Sequence, residues 1–113
     1  MHKIGHIVLV PFPFTDLSGQ KVRPALIIGV PQSGDDLTVC FISSALPNKL
    51  TKFDIMIDPK GKNFKKTGLK SKSVIKVVKI ATLDKAVILG QIGILDTDNL
   101  KQVKRTLSNY FSI

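Results

Sequence analysis

Three features of the sequence carry side chains fit for chemistry on a phosphate. Arg23 stands at the head of an apolar, strand-like run, Val22-Arg23-Pro24-Ala25-Leu26-Ile27-Ile28. Its guanidinium keeps its charge and presents a rigid fork of donors that matches phosphate or carboxylate. Ser43 and Ser44 close another apolar run and offer hydroxyl donors. From Pro59 to Leu83 lie eight lysines (60, 62, 65, 66, 70, 72, 76 and 79) and no acid. Fixed cations and hydroxyls stabilise the charge that builds on phosphoryl oxygens in a transition state, and they need no metal to do so. An RNA phosphodiester suits such a set, because its own 2′-hydroxyl is the nucleophile and the protein need only position, deprotonate and stabilise. Each feature also has a plainer reading: Arg23 as a salt-bridge partner, the serines as a strand end, the lysines as a solvated loop.

Other chemistries find little support. His2 and His6 are the only histidines, and Cys40 has no second cysteine to pair with. No zinc-type ligand spacing occurs, so no metal or other cofactor is expected. Glycine-rich nucleotide-binding and Walker motifs are absent, as is a nucleophile elbow. His6 reads as a polar strand-edge residue, and Cys40, inside an apolar run, as inert core.

At 113 residues the chain is expected to form a single domain, residues 1–113, around one core. No apolar run approaches a membrane span, and Pro11 and Pro13 break the first one, against a secretory signal. A cytoplasmic protein without a membrane partner is expected. The net charge of +9 is unevenly placed. In residues 1–58 five basic residues balance five acidic ones, so the second half holds all of it. A block of that kind repels itself unless solvated or met by a polyanion.

The elements that must position these groups read as short strands: His6–Val10, Ala25–Val30, Leu37–Ser43, Phe53–Ile57, Ser73–Val78 and Ala86–Gln91. They are rich in Val, Ile, Leu and Phe and bounded by Gly, Pro, Asp and Ser. A longer loop, Pro59–Lys72, leaves room for a helical turn around Asn63–Thr67. The C-terminus reads as a helix capped by Asp96, with a Leu95–Leu100 staple and an apolar stripe of Leu100, Val103, Leu107 and Tyr110/Phe111. Several short strands and a terminal helix predict a mainly β fold, a strongly bent sheet or small barrel with the helix packed on it.

The segment Gly5–Ile28 resembles the N-terminal signature of the MazF/PemK family of type II toxin–antitoxin ribonuclease toxins. The likeness rests above all on Val10-Pro11-Phe12-Pro13-Phe14-Thr15-Asp16 and Val22-Arg23-Pro24-Ala25. Phe41-Ile42-Ser43-Ser44, Gly68 to Ile75 and Lys79 to Lys85 extend it over nearly the whole chain. The resemblance implies an SH3-like barrel with a C-terminal helix and a homodimer. It also implies metal-independent, sequence-selective cleavage of single-stranded RNA such as mRNA, and neutralisation by an acidic antitoxin protein.

By position, the resemblance makes Arg23 the catalytic arginine and Ser43 the hydroxyl on the scissile phosphate. Lys76 falls where some members carry a second functional Arg. The RNA-contacting residues expected with them are Phe12, Thr15, Gln20, Lys21, Pro24, Ser44, Lys70, Lys72, Lys76 and Lys79. Phe12 or Phe14 would stack on a base, or else be buried in the core or the dimer interface. Departures from the family pattern are His6 in place of an acid, Val78 in place of an Asp or Glu, and Ala81 in place of an Arg; the general base is left unassigned. The rival expectation is a non-catalytic toxin on the same fold, inhibiting a protein target such as gyrase, or a nucleic-acid-binding module.

Overall fold

The structure, a computed structural model, describes residues 2–12 and 21–113; Thr15, Gln20 and the side chain of Phe12 lie outside the described residues. Six strands form an antiparallel sheet curled into a half-barrel: β1 (His6–Phe12), β2 (Lys21–Gly29), β3 (Asp36–Ser43), β4 (Asp54–Ile57), β5 (Ser73–Asp84) and β6 (Gly90–Ile94). Their order is β4-β5-β3-β2-β1-β6. A 15-residue helix, α1 (Thr97–Phe111), follows β6.

The centres of β1, β2 and β3 are apolar without a break because both faces of the sheet are covered there. Along β2 the side chains alternate between two clusters. Leu26 joins Ile7, Cys40, Ile42, Ile75 and Val77 on one face, where Leu95 and Val103 pack from the helix side. Ala25 and Ile27 join Val8, Val10, Val39 and Phe41 on the other, closed over by Leu83 and Ile88. The long β5 carries a bulge that shifts which of its residues face each cluster: Phe41 pairs with Lys76, but Cys40, its neighbour, pairs with Ile80.

The helix begins as its sequence dictates. Asp96 accepts the Asn99 amide N–H at 3.1 Å and its side-chain amide at 2.7 Å, filling one of the orphan donors of the first turn. Leu95 is buried, and Leu100 packs partly against the same core. The far end of the expected stripe leaves the core: Tyr110 and Phe111 are 46% and 52% exposed. Their rings stack instead edge-on, Tyr110 against Phe53 at 5.0 Å and Phe111 against Tyr110 at 5.1 Å. Buried Thr106 takes a core position that the stripe left out, its hydroxyl donating to the Gln102 carbonyl at 2.8 Å.

Several strand limits also differ from expectation. Most widely, β2 begins at Lys21 rather than Ala25, β5 runs on to Asp84 rather than Val78, and the last strand is Gly90–Ile94 rather than Ala86–Gln91. Lys85–Val87 instead forms a short 3₁₀ turn, begun by the Asp84 carboxylate accepting the Ala86 N–H. The helical turn in the long loop is Phe64–Thr67.

Cys40 is fully buried, and burial pushes its thiol up to about 12. At pH 8 native protein should therefore show no measurable reaction with a thiol reagent over minutes, while denatured protein reacts fully. Fast labelling of the native state would contradict this placement. His6 opens β1 and its Nδ1 accepts the Lys3 N–H at 3.3 Å. Burial, and then the nearby positive charge of Lys3, lowers its pKa and so favours the neutral ring.

Candidate functional site

The sheet register brings the chemical side chains together. Ala25 of β2 lies opposite Phe41 of β3, and Phe41 lies opposite Lys76 of β5. Arg23 and Ser43 stand two residues from that pair on their own strands, so alternation puts both on the face that carries Phe41 and Lys76. On an unbroken strand Lys79, three residues past Lys76, would point to the opposite face. The β5 bulge between them re-aims it. The result is a cavity of about 170 Å³ lined by Arg23, Ser43, Lys76 and Lys79, with Phe41, Ile42 and Ala45 as its remaining wall.

Within it, the Ser43 hydroxyl accepts the Ala45 N–H at 3.1 Å and leans its own proton toward the Ala45 carbonyl at 3.4 Å. That second contact is long, so the proton is readily redirected to a better acceptor in the cavity. Lys85 and Asp35, 3.1 Å apart, make the one ion pair found among the described residues, and neither lines this cavity. Among the described residues, therefore, no carboxylate within bridging distance neutralises Arg23, Lys76 or Lys79. Three cations and a hydroxyl facing one small space are suited to a phosphate.

A second cavity, of about 480 Å³, shares Arg23 and Ile42 with the first. It takes in three other expected contacts, Pro24, Ser44 and Lys70. Lys21 and Lys72 are exposed and line neither cavity. The lysine block is also divided: Lys62 and Lys66 line a separate hollow beside Asp96 and Asp98, at the start of α1. Val78 and Ala81, the departures from the family pattern, line neither cavity, and Ala81 packs against the second-face core.

The second cavity also holds residues that sequence reasoning did not select: Leu9, Val22, Leu69, Ser71, Ser73 and Ile92. Ser71 and Ser73 sit inside the quoted Gly68–Ile75 motif and were within reach. Ile92 had no signal, because its strand was expected to end at Gln91.

A family model described as PemK-like, MazF-like toxin of type II toxin-antitoxin system matches residues 3–111. The chain belongs to this family of toxins. No curated protein matches it in sequence. Solved structures share the fold over essentially the full length of both chains. An endoribonuclease in complex with its cognate antitoxin from a mycobacterial species superposes with a TM-score of 0.76 at 11% identity, over 100% of this chain and 97% of that one. The Mycobacterium tuberculosis toxin MazF-mt6 gives 0.73 at 19% identity, over 96% and 97% of the two chains. A MazE–MazF structure from Deinococcus radiodurans gives 0.74 at 20% identity, over 99% and 97%.

Proposed function

We propose that this toxin is an endoribonuclease that cuts single-stranded RNA, with the scissile phosphate seated in the cavity of Arg23, Ser43, Lys76 and Lys79. The 2′-oxygen attacks phosphorus and gives up its proton to water. The P–O5′ bond breaks, and the 5′-oxygen leaves as a hydroxyl after taking up a proton from water. The products are a 2′,3′-cyclic phosphate and a 5′-hydroxyl end. Arg23 supplies two parallel donors to the non-bridging oxygens as negative charge accumulates, and the Ser43 hydroxyl turns from the Ala45 carbonyl to add another. Lys76 and Lys79 raise the positive potential around them. The observation that carries this reading is the convergence of Arg23 and Ser43 on one cavity. A toxin that only blocked a protein target would not require it.

The binding of RNA to a strand-wide cationic surface should be strongly salt-dependent. Affinity for a 2′-O-methyl RNA, which cannot be cleaved, is expected to fall with a log–log slope of roughly −0.7 for each phosphate contacted. Reversing charge at Lys70 and Lys76 should flatten the slope. Reversal at Lys62 and Lys66, which line the separate hollow, should leave it nearly as it was. Equal effects from the two pairs would reduce the block to diffuse charge.

The toxin is further proposed to act in the cytoplasm as a homodimer. An acidic, partly disordered antitoxin would fold onto it and compete with RNA for Arg23 and the lysines near Lys76. A small acidic protein encoded beside this one should co-purify with it, relieve growth arrest and block cleavage. If the neighbour neither binds nor relieves arrest, this pairing is wrong.

A further inference from the structure

The second cavity has a chemistry of its own. Resting on the reading of the Arg23 cavity as a phosphate site, we propose that the larger cavity beside it binds one unstacked nucleobase of the RNA and favours bases that present carbonyl oxygens, uracil and guanine.

Arg23 lines both cavities, so a phosphate held by its guanidinium leaves the attached nucleoside at the mouth of the larger one. That cavity, at about 480 Å³, lies within the usual range of small-molecule sites, with room for a single base and part of its sugar. Much of its wall is apolar, with Pro24 of β2, Leu69 of the long loop and Ile92 of β6 among the lining residues. Apolar surface of this kind suits the faces of a base drawn out of its stack.

The wall is also fixed before any ligand arrives. Thr67 is buried, and its hydroxyl accepts the Leu69 N–H at 3.1 Å while donating to the Phe64 carbonyl. Gly68, in the left-handed region at φ 72°, lies so close to the Ile92 carbonyl that a Cβ would collide with it. The loop carrying Leu69 and Lys70 is thereby clamped to β6.

The polar part of the lining is weighted toward donors. The ammonium of Lys70 can only donate, and the hydroxyls of Ser44 and Ser71 have a proton to give. Ser73 spends its own proton on the Ser71 carbonyl at 2.9 Å. Donors of this kind satisfy the O4 and O2 of uracil or the O6 and N7 of guanine. Adenine and cytosine carry an amine where guanine and uracil carry O6 and O4, so that amine would meet the Lys70 ammonium donor against donor and forfeit the hydrogen bond.

The test is a titration of the protein with inorganic phosphate and with the 3′-monophosphates of uridine, guanosine, adenosine and cytidine. Uridine and guanosine 3′-monophosphate should bind about tenfold or more tightly than inorganic phosphate, and about tenfold more tightly than the other two. Lys70→Met should bring the four nucleotides within about threefold of one another. Val22→Trp, on a side chain that is 48% exposed and lines the cavity, should fill the mouth and erase the gain of any nucleotide over inorganic phosphate. Four nucleotides binding no better than phosphate, or equally to one another, would overturn the base site while leaving the phosphate site standing. Phosphate that binds Arg23→Ala as well as wild type would instead remove the foundation, the assignment of the Arg23 cavity itself.

Discussion

Arg23→Ala is expected to lower the rate of RNA cleavage by at least about a hundredfold while leaving the melting temperature within about 2 °C of wild type. The two halves of this prediction have separate causes. Arg23 is only partly buried on β2, and it meets no carboxylate among the described residues within ion-pairing distance. Its removal therefore takes away little that holds the fold. It does take away the one donor pair in the cavity that is rigid, planar and matched to two oxygens of a phosphoryl group. Lysines at 76 and 79 keep the potential positive but offer point charges on flexible stems, so they cannot replace the fork. Arg23→Lys should accordingly recover only a small part of the rate. A fall of less than about threefold in Arg23→Ala would show that the guanidinium has no part in the transition state.

The second large effect concerns the scaffold. Gly93 of β6 lies directly against the backbone of Thr67 and Lys66, where an added Cβ would overlap main-chain atoms rather than the end of a flexible side chain. Gly93→Ala can be accommodated only by moving the Phe64–Thr67 turn off β6. Overpacking of this kind costs about 2 kcal/mol or more, which in a chain of this size lowers the melting temperature by roughly 10 °C. The same displacement would shift Leu69 and Lys70, so RNA affinity should fall together with stability. Gly90→Ala is the control, since nothing stands within 4 Å of the added methyl there. If both variants melted alike, the close approach of turn and strand would be refuted.

Much of this architecture was legible in the sequence for identifiable reasons. The cores of the first five strands are β-branched runs between turn residues, and the helix start is written in Leu95, Asp96 and Leu100. What misled was the stretch Ala86–Gln91. Ala86, Val87, Ile88 and Leu89 read as a strand, but the Asp84 carboxylate caps a 3₁₀ turn there and delays β6 to Gly90. Local hydrogen bonding outweighed apolar content. The exposed end of α1 failed for a related reason: period alone assigns Tyr110 and Phe111 to the core face, whereas both are exposed, Tyr110 set edge-on against Phe53 and Phe111 against Tyr110.

The site divides along the same line. Arg23 and Ser43 were identifiable as chemically able residues, but their meeting depends on strand register, which no single residue type reveals. Lys79 is the clearest case. Its parity with Lys76 argues against a shared face, and only the β5 bulge reconciles them. The larger cavity was half visible, through Pro24, Ser44 and Lys70. Its apolar half, Leu69 and Ile92, arises from the packing of the loop on β6, which depends on two glycines accepting close backbone contact.

The most direct test is to incubate purified protein with a long RNA in excess EDTA and to map the ends of every fragment, with Arg23→Ala processed in parallel. Cleavage should persist at a small set of recurring sequences, leave 2′,3′-cyclic phosphate and 5′-hydroxyl ends, and all but vanish in Arg23→Ala. Intact RNA with the wild-type toxin, or fragments bearing 5′-phosphate ends, would contradict 2′-hydroxyl attack at the Arg23–Ser43 cavity.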